Sequence, residues 1–460
     1  VKSGIPVLYC LHVLGGSARE WVHVDARLGS AFKFRALDLP GFGDAAQTKG
    51  YSVAEMADTI AALIEADAPS RWMIVGHSMG AKVAAAIARR AEDGEPRLAG
   101  LIGVITVTGS PPSPEPMDDA MRSTMLGWFH GDAATSRDQA ESYIANNSGP
   151  QLRAVDRELA VEDVLRANRA AWAAWLEHGS REDWSARIGT LETPALVIAG
   201  ADDAALGPDA QRNLMAPHFA NVHLATIPNA KHLLPLEAAG DLAQLFGDHL
   251  RRIEYRALIL SNRVGTTTRD ALLKRGQPDD TTYHPQALSE AALQTLRAVI
   301  ACVIPQPLDS HIDLAARLDQ QLAASTGDGW RFADLPVDAE AYRRALATLD
   351  AAAQLHGGNF VELSTTQQTA MLNAVAEETI HVPSEASLSM LLDAQQMQHW
   401  FEDLRGDATT LYVAHPDTRA RMGLSGIANG GDGMPKSGFA RTGLDEREPW
   451  EPIAATDGAR

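Results

Sequence analysis

The 460-residue chain has two cysteines, Cys10 and Cys302, one in each half. Cysteines so far apart argue against a disulfide framework and a cysteine metal site, and no Cys-x-x-Cys-His stands ready to take a covalent haem. Basic residues are in deficit, 40 Lys and Arg against 59 Asp and Glu, for a formal charge of −19. The deficit is even: 21 against 31 in residues 1–250 and 19 against 28 in residues 251–460. Neither half is a basic module, so neither nucleic acid nor anionic lipid is an expected partner. No apolar run reaches the roughly 18 residues of a transmembrane helix, so membrane insertion is not expected. The longest run, Leu98 to Val107, is broken by Gly100 and Gly103 and reads as a buried strand. No signal peptide follows Val1, and the expected location is cytoplasmic, or periplasmic if a signal precedes the sequence.

What is present suits a large soluble chain. Some 45% of residues are hydrophobic and 22% charged, enough for sizeable cores in two or three domains. Residues 1–250 alternate short apolar strands with amphipathic helices. Strands are expected at Ile5–Leu11, Phe32–Asp38, Trp72–Val75, Leu101–Val107, Ala195–Ala199 and Val222–Ile227. Ser52 and Glu55 form a capping-box pair ahead of Val53, Met56, Ile60, Leu63 and Ile64, which share a helical face. This alternation predicts an α/β fold with a doubly wound, mostly parallel sheet. Residues from about 111 to 190 break the rhythm. They open on Pro111, Pro112, Pro114 and Pro116 and continue with helical patterns carrying Met117, Met121, Met125, Trp128, Phe129, Trp172, Trp175 and Leu176. The segment reads as a helical cap over one end of the sheet, with those side chains as its own core.

The strongest chemical signal is Gly76-His77-Ser78-Met79-Gly80, between the strand at 72–75 and an Ala-rich helix from Ala81 to Arg89. Strand, Gly-x-Ser-x-Gly, helix is the context of a nucleophile elbow, which lifts the serine hydroxyl above the sheet at the positive end of the helix. A serine hydroxyl needs a base, and the partners of such an elbow follow in the order serine, acid, histidine. Asp202 and Asp203 close one later strand and His232 follows the last, all at carboxyl ends of strands, where ligands collect in open α/β sheets. His232 would take the proton from Ser78, and Asp203 or Asp202 would fix its tautomer. The oxyanion donors would be the amide of Met79 and one from Leu11-His12-Val13-Leu14-Gly15-Gly16, with Leu14 preferred and Val13 the fallback. No metal and no cofactor is called for.

Leu11-His12, Gly15-Gly16, Trp21, Asp38-Leu39-Pro40-Gly41-Phe42-Gly43, Gly76–Gly80, Gly200–Asp203 and His232 occur in the order of the α/β-hydrolase superfamily, which residues 5–250 resemble. The family's acid closes a Gly-x-x-Asp, which selects Asp203. The resemblance implies a capped Ser-Asp-His hydrolase of esters, lactones or related bonds, acting on a small-molecule substrate. Ser78 sets it apart from the branches with an aspartate nucleophile. Three departures stand out: Val13 where the family has Gly after His, Lys231 where it has Gly before the histidine, and a first strand that corresponds to the family's third.

Residues 251–285 are polar and Thr-rich (Thr266, Thr267, Thr268, Thr281, Thr282) and read as a linker or wrapping arm. Residues 286–455 read as mainly α-helical, with helices near 288–303, 309–324, 338–355, 365–380 and 386–405. Glu378 and His381 lie i, i+3 on one helix, and His399 and Glu402 repeat the pair reversed on the next. A di-iron bundle needs two Glu-x-x-His pairs and two more carboxylates, so solvated helix faces are the reading. His284, His311, His356 and His415 have no metal-ligand spacing. The glycine-rich tail at 423–442 follows no strand and is not a dinucleotide loop.

Over about 266–455 the residues Ile304-Pro305-Gln306, Trp330-Arg331, Leu335-Pro336, Tyr342-Arg343, Leu349-Asp350, Gln367-Gln368, His415-Pro416, Gly438-Phe439 and Trp450-Glu451-Pro452 resemble the gluconate 2-dehydrogenase subunit 3 family. That resemblance implies a helical subunit without its own redox cofactor. It would bind a flavin-containing dehydrogenase, which often works with a cytochrome c subunit. The leading expectation is thus a serine hydrolase of ester or lactone type fused to a partner-binding helical domain. The alternative is an accessory subunit of a flavin oxidoreductase whose hydrolase half is inactive or serves docking.

Overall fold

The computed structural model describes residues 4–424 apart from 281, 311 and 382–390. Thr281, His311, the family-like residues at 438–439 and 450–452, and the glycine-rich tail beyond 424 lie outside the described residues. The chain divides into two compact units. One holds the described residues through Gly265 and from Ala420 on; the other is Thr266–Arg419.

The first unit is built on six parallel strands: β1 (Val7–Leu11), β2 (Lys33–Leu37), β3 (Trp72–His77), β4 (Leu101–Val107), β5 (Ala195–Gly200) and β6 (Val222–Ile227). Their spatial order is β2-β1-β3-β4-β5-β6, so the α/β class and the six expected strands are present. β3 and β5 are buried along their whole length, as continuous apolar runs in a sheet covered on both faces must be. β2 is an edge strand that alternates exposure and points Lys33 and Arg35 outward, charges that discourage pairing with another chain. The register sets Leu11 opposite Gly76, His77 opposite Val107 and Val107 opposite Ile198. The strands therefore finish level, and the loops that follow them share one surface.

The helix Val53–Asp67 opens on the Ser52–Glu55 capping box and buries Met56, Ile60 and Ile64. Leu63, read as part of that face, is exposed instead. The helix Met79–Glu92 starts two residues earlier than Ala81, and its residues Met79 to Ala88 are all buried. Its run of alanines is what lets a helix sink that deeply against the sheet.

Between β4 and β5 lies the cap, with helices Asp119–Leu126, Ala133–Asn147, Ala154–Arg166 and Arg169–Ala174. Phe129, Tyr143 and Trp172 are buried in edge-on contacts at 5.2 and 5.3 Å. Arg169 lies 3.9 Å over the Phe129 ring, a cation–π contact. Met121, expected in this core, is exposed. Two buried polar anchors fasten the cap. Asp163 accepts from Ser17 Oγ (2.8 Å), Arg19 Nη2 (2.7 Å) and Arg166 Nε (2.7 Å). Lys82, on the helix after the elbow, spends all three ammonium protons on the carbonyls of Ser113, Gly179 and Glu182, at 3.1–3.2 Å. Burial brings the Lys82 pKa down to about 8.

The segment read as a linker is largely helical. The helix Ala239–Leu260 runs through position 250, and Thr266–Arg275 forms another. The second unit packs Glu290–Val303, Leu314–Ala324, Asp338–Ala353, Thr365–Ala376 and Ala394–Ala414 around Leu296, Leu318, Leu346, Leu349, Trp400 and Leu404. Its last long helix lies later than the expected 386–405. Asp319 is fully buried and accepts from the amides of Gln286, Ala287 and Leu288 and from Tyr283 Oη at 2.5–3.1 Å. One carboxylate thus orders the whole approach to the first helix of this bundle.

A Cβ on Gly76 would lie 2.4 Å from backbone atoms of Gly80 and Ala81, which cannot give way. Gly76→Ala is expected to destabilise the first unit by about 3 kcal/mol. Gly406→Ala, in open space on a helix, should stabilise the second unit by about 0.5–1 kcal/mol. Urea unfolding followed by hydrogen exchange in each unit measures both.

Candidate active site

β3 ends in a turn only a strained serine completes. Ser78 has φ 50° and ψ −116°, a conformation that costs a non-glycine residue about 1–3 kcal/mol. The turn is held by Ser78 N–H to the Val107 carbonyl (3.0 Å) and by Ala81 N–H and Ser110 N–H to the Ser78 carbonyl (2.9 and 3.0 Å). Gly80 lets the helix pass within contact of the Leu11 backbone. The Ser78 side chain makes no cap bond to the helix it precedes, so its hydroxyl stays available.

His232 is tethered at three atoms. Its amide donates to the Asn147 carbonyl of the cap (3.1 Å). Its carbonyl accepts from Thr108 Oγ1 (3.1 Å) and lies 2.8 Å from His77 Nε2. Its ring Nδ1 stands 2.7 Å from Asp203 Oδ2. Asp203 also accepts on Oδ1 from the amides of Ala205 and Leu206 (3.0 and 3.1 Å). Asp202, the competing acid, is exposed. Asp203 and His232 are therefore brought together, at the same level as Ser78. Burial opposes both charges, but the His232 contact and the two amides outweigh it at Asp203 and leave that carboxyl at about 2. At His232 burial is likewise outweighed, chiefly by the Asp203 carboxylate, so the imidazole pKa is raised.

The loop after β1 ties up the Val13 and Gly16 amides and leaves the Leu14 amide without an acceptor among the described residues. Val13 O accepts from Gly16 N–H (3.0 Å) and from His12 Nδ1 (2.7 Å). His12 Nε2 in turn accepts from the Leu39 amide (3.0 Å). Val13 N–H is directed to Glu20 Oε2 (3.4 Å), and Tyr143 Oη donates to the Leu14 carbonyl (3.1 Å). Leu14 N–H and Met79 N–H take no acceptor among the described residues. The two departures in this region carry no strain. The left-handed residues are Gly15 and Asn229, not Val13 or Lys231, so neither substituted position needs glycine.

Five neighbours were not singled out from the sequence: Glu20, His77, Thr108, Glu115 and Tyr143. His77 sits inside the Gly76–Gly80 motif, but nothing in the spacing pairs it with Glu20 across 57 positions. In the second unit, Glu378 and His381 do not share a helix. The helix ends at Ala376 and Glu378 has φ 56°. Among the described residues no group of three or more His, Cys, Asp or Glu could hold a metal, and no helix is long and apolar enough to cross a membrane.

A capped parallel sheet with a serine elbow and a histidine–carboxylate pair defines a hydrolase-type unit. The chain belongs to the α/β-hydrolase fold family, whose model matches residues 6–239. Residues 290–421 match the model of gluconate 2-dehydrogenase subunit 3, so the fusion read from the sequence is present. The pimeloyl-[acyl-carrier protein] methyl ester esterase of Neisseria meningitidis serogroup C is 25% identical over 254 residues, 55% of this chain and 96% of that protein. The 2-succinyl-6-hydroxy-2,4-cyclohexadiene-1-carboxylate synthase of Serratia proteamaculans is 30% identical over 208 residues, 43% of this chain and 77% of that one. A bromoperoxidase structure from Bacillus anthracis aligns with a TM-score of 0.49 at 18% identity, over 54% of this chain and 93% of its own.

The raised pKa of His232 has a measurable sign. Its ring should titrate above 6.5 by NMR in the parent. In Asp203→Asn the main raising charge is gone and burial remains, so the midpoint should fall below 6.5. A parent midpoint at or below that value would contradict the arrangement.

Proposed function

We propose that the first unit is a serine hydrolase of ester or lactone bonds, with Ser78 as nucleophile, His232 as base and Asp203 as its orienting acid. The observations that carry the reading are the Asp203–His232 contact of 2.7 Å and a strained serine, at the end of another strand of the same sheet, whose hydroxyl makes no cap bond. Ser78 Oγ attacks the substrate carbonyl carbon as its proton passes to His232 Nε2. Asp203 stabilises the imidazolium and keeps the remaining proton on Nδ1. The oxyanion takes hydrogen bonds from the amides of Met79 and Leu14. Collapse breaks the bond to the alkoxy oxygen, which leaves with the proton from His232. A lactone opens here without losing a fragment. Water, deprotonated by His232, then frees the acid and restores Ser78.

The second unit, by its resemblance to the dehydrogenase subunit, binds a flavin-containing dehydrogenase. A dehydrogenase that oxidises a cyclic sugar hemiacetal yields a lactone, which makes a lactone a reasonable substrate for the fused hydrolase. The competing reading, an accessory subunit with an inert hydrolase half, draws on the same match over residues 290–421.

Hydrolysis of p-nitrophenyl esters and of sugar lactones decides between them. Ser78→Ala and His232→Ala should lose about 10⁶-fold in kcat, and Asp203→Asn about 10⁴-fold. Asp202→Asn should stay within about twofold of the parent. No turnover by a folded parent, or equal loss in Asp202→Asn and Asp203→Asn, would overturn the proposal.

A further inference from the structure

Two buried titratable side chains at this site lie outside the triad. Glu20 is 4% exposed and His77 fully buried. Glu20 Oε1 lies 2.8 Å from His77 Nδ1. Its other oxygen takes the Val13 amide. On the far side of the ring, His77 Nε2 lies 2.8 Å from the His232 carbonyl oxygen. A carbonyl oxygen only accepts, so Nε2 carries a hydrogen. If the ring is neutral, Nδ1 is then a bare lone pair and needs a donor, and among the described residues the group presented to it is the Glu20 carboxyl.

We propose that Glu20 is a positioning residue that works in its protonated form. Its carboxyl O–H donates to His77 Nδ1 and locks His77 as the donor to the His232 carbonyl. Its second oxygen holds the Val13 amide and with it the oxyanion loop. This role rests on the serine-hydrolase reading, because it sets two parts of that machinery, the base and the oxyanion loop, from one side chain.

The surroundings favour the neutral pair. Around Glu20 stand His77 from β3, His12 after β1, His232 after β6, and Asp163 from the cap. Trp21 closes the ring side, edge-on to His77 at 6.2 Å. Burial raises the Glu20 carboxyl to about 8, against the opposing pull of His12, the Val13 amide and His232. Burial, with His232 adding to it, lowers the His77 imidazole to about 3. Both groups are thus neutral at pH 7. An ionised Glu20 would release its proton to solvent, and the His77 hydrogen would move from Nε2 to Nδ1 to meet the new carboxylate. Nε2 would then turn a lone pair on the His232 carbonyl, leaving Thr108 Oγ1 and the Leu234 amide as its donors.

Glutamine separates this from an ion pair. In Glu20→Gln the amide NH₂ donates to Nδ1 and the amide oxygen accepts from Val13, as the protonated acid does, but it cannot ionise. In the ¹⁵N-histidine-labelled full chain, His77 should be the Nε2–H tautomer at pH 7 in the parent and in Glu20→Gln. The parent should lose that tautomer, and kcat/KM, as the pH rises through about 8. Glu20→Gln should keep both. Glu20→Ala should lower kcat about 10- to 100-fold with little change in KM, as expected when a base is misplaced by a fraction of an ångström, and Glu20→Gln should restore it. An Nδ1–H tautomer at pH 7, an alkaline limb shared by parent and Glu20→Gln, or a Glu20→Gln as impaired as Glu20→Ala would each overturn the proposal. The tautomer reads the Glu20–His77 pair even if no ester is turned over; that result would sink the hydrolase reading and leave the pair to be judged by NMR.

Discussion

The backbone of His232 is where the sheet and the cap meet. It belongs to a loop, and a loop holds a catalytic group only as well as its hydrogen bonds do. Two donors reach its carbonyl from the ends of neighbouring strands, His77 on β3 and Thr108 after β4. The amide of the same residue is held by Asn147, the last residue of a cap helix. The Leu234 amide adds a local donor to the carbonyl at 3.0 Å, so the level finish of the strands sets where the carbonyl points and the seating of the cap sets the amide. The strain in Ser78 is tolerated in the same way, by a turn in which the amide and the carbonyl of Ser78 are both committed.

Much of this was legible in the sequence, for a physical reason. Parallel strands buried on both faces must be short apolar runs, and each of the six runs between Ile5 and Ile227 became a strand within two residues of its expected bounds. The elbow was legible because only glycine fits at 76 and 80, and the Gly-x-x-Asp spacing separated Asp203 from the exposed Asp202. What escaped was long-range polar pairing. A lone glutamate before a tryptophan reads as surface, and only the fold brings Glu20 against His77. Asp319 escaped likewise, since its three amide donors come from a loop some thirty residues earlier.

Local chemistry misled in other places. Glu378 and His381 have helical spacing, yet the amides of Thr379 and Ile380 both turn back to the Ala374 carbonyl (2.8 and 3.1 Å) and close the helix before them. The stretch from 251 reads as a linker or wrapping arm, and its first ten residues continue the preceding helix to Leu260, anchored by buried Tyr255, Leu258 and Ile259. Polar composition says little about a helix that is anchored by a few apolar residues on one face. The glycines expected at 13 and 231 proved unnecessary for a related reason: the positive φ angles fall two residues away, at Gly15 and Asn229.

The central claim is that Ser78 is made nucleophilic by a histidine whose position the whole sheet edge sets. Labelling the folded protein with a fluorophosphonate at neutral pH, and locating the adduct by peptide mass spectrometry, tests it most directly. The account predicts one adduct, on Ser78, that His232→Ala abolishes. An unlabelled parent, an adduct elsewhere, or undiminished labelling of Ser78 in His232→Ala would contradict it.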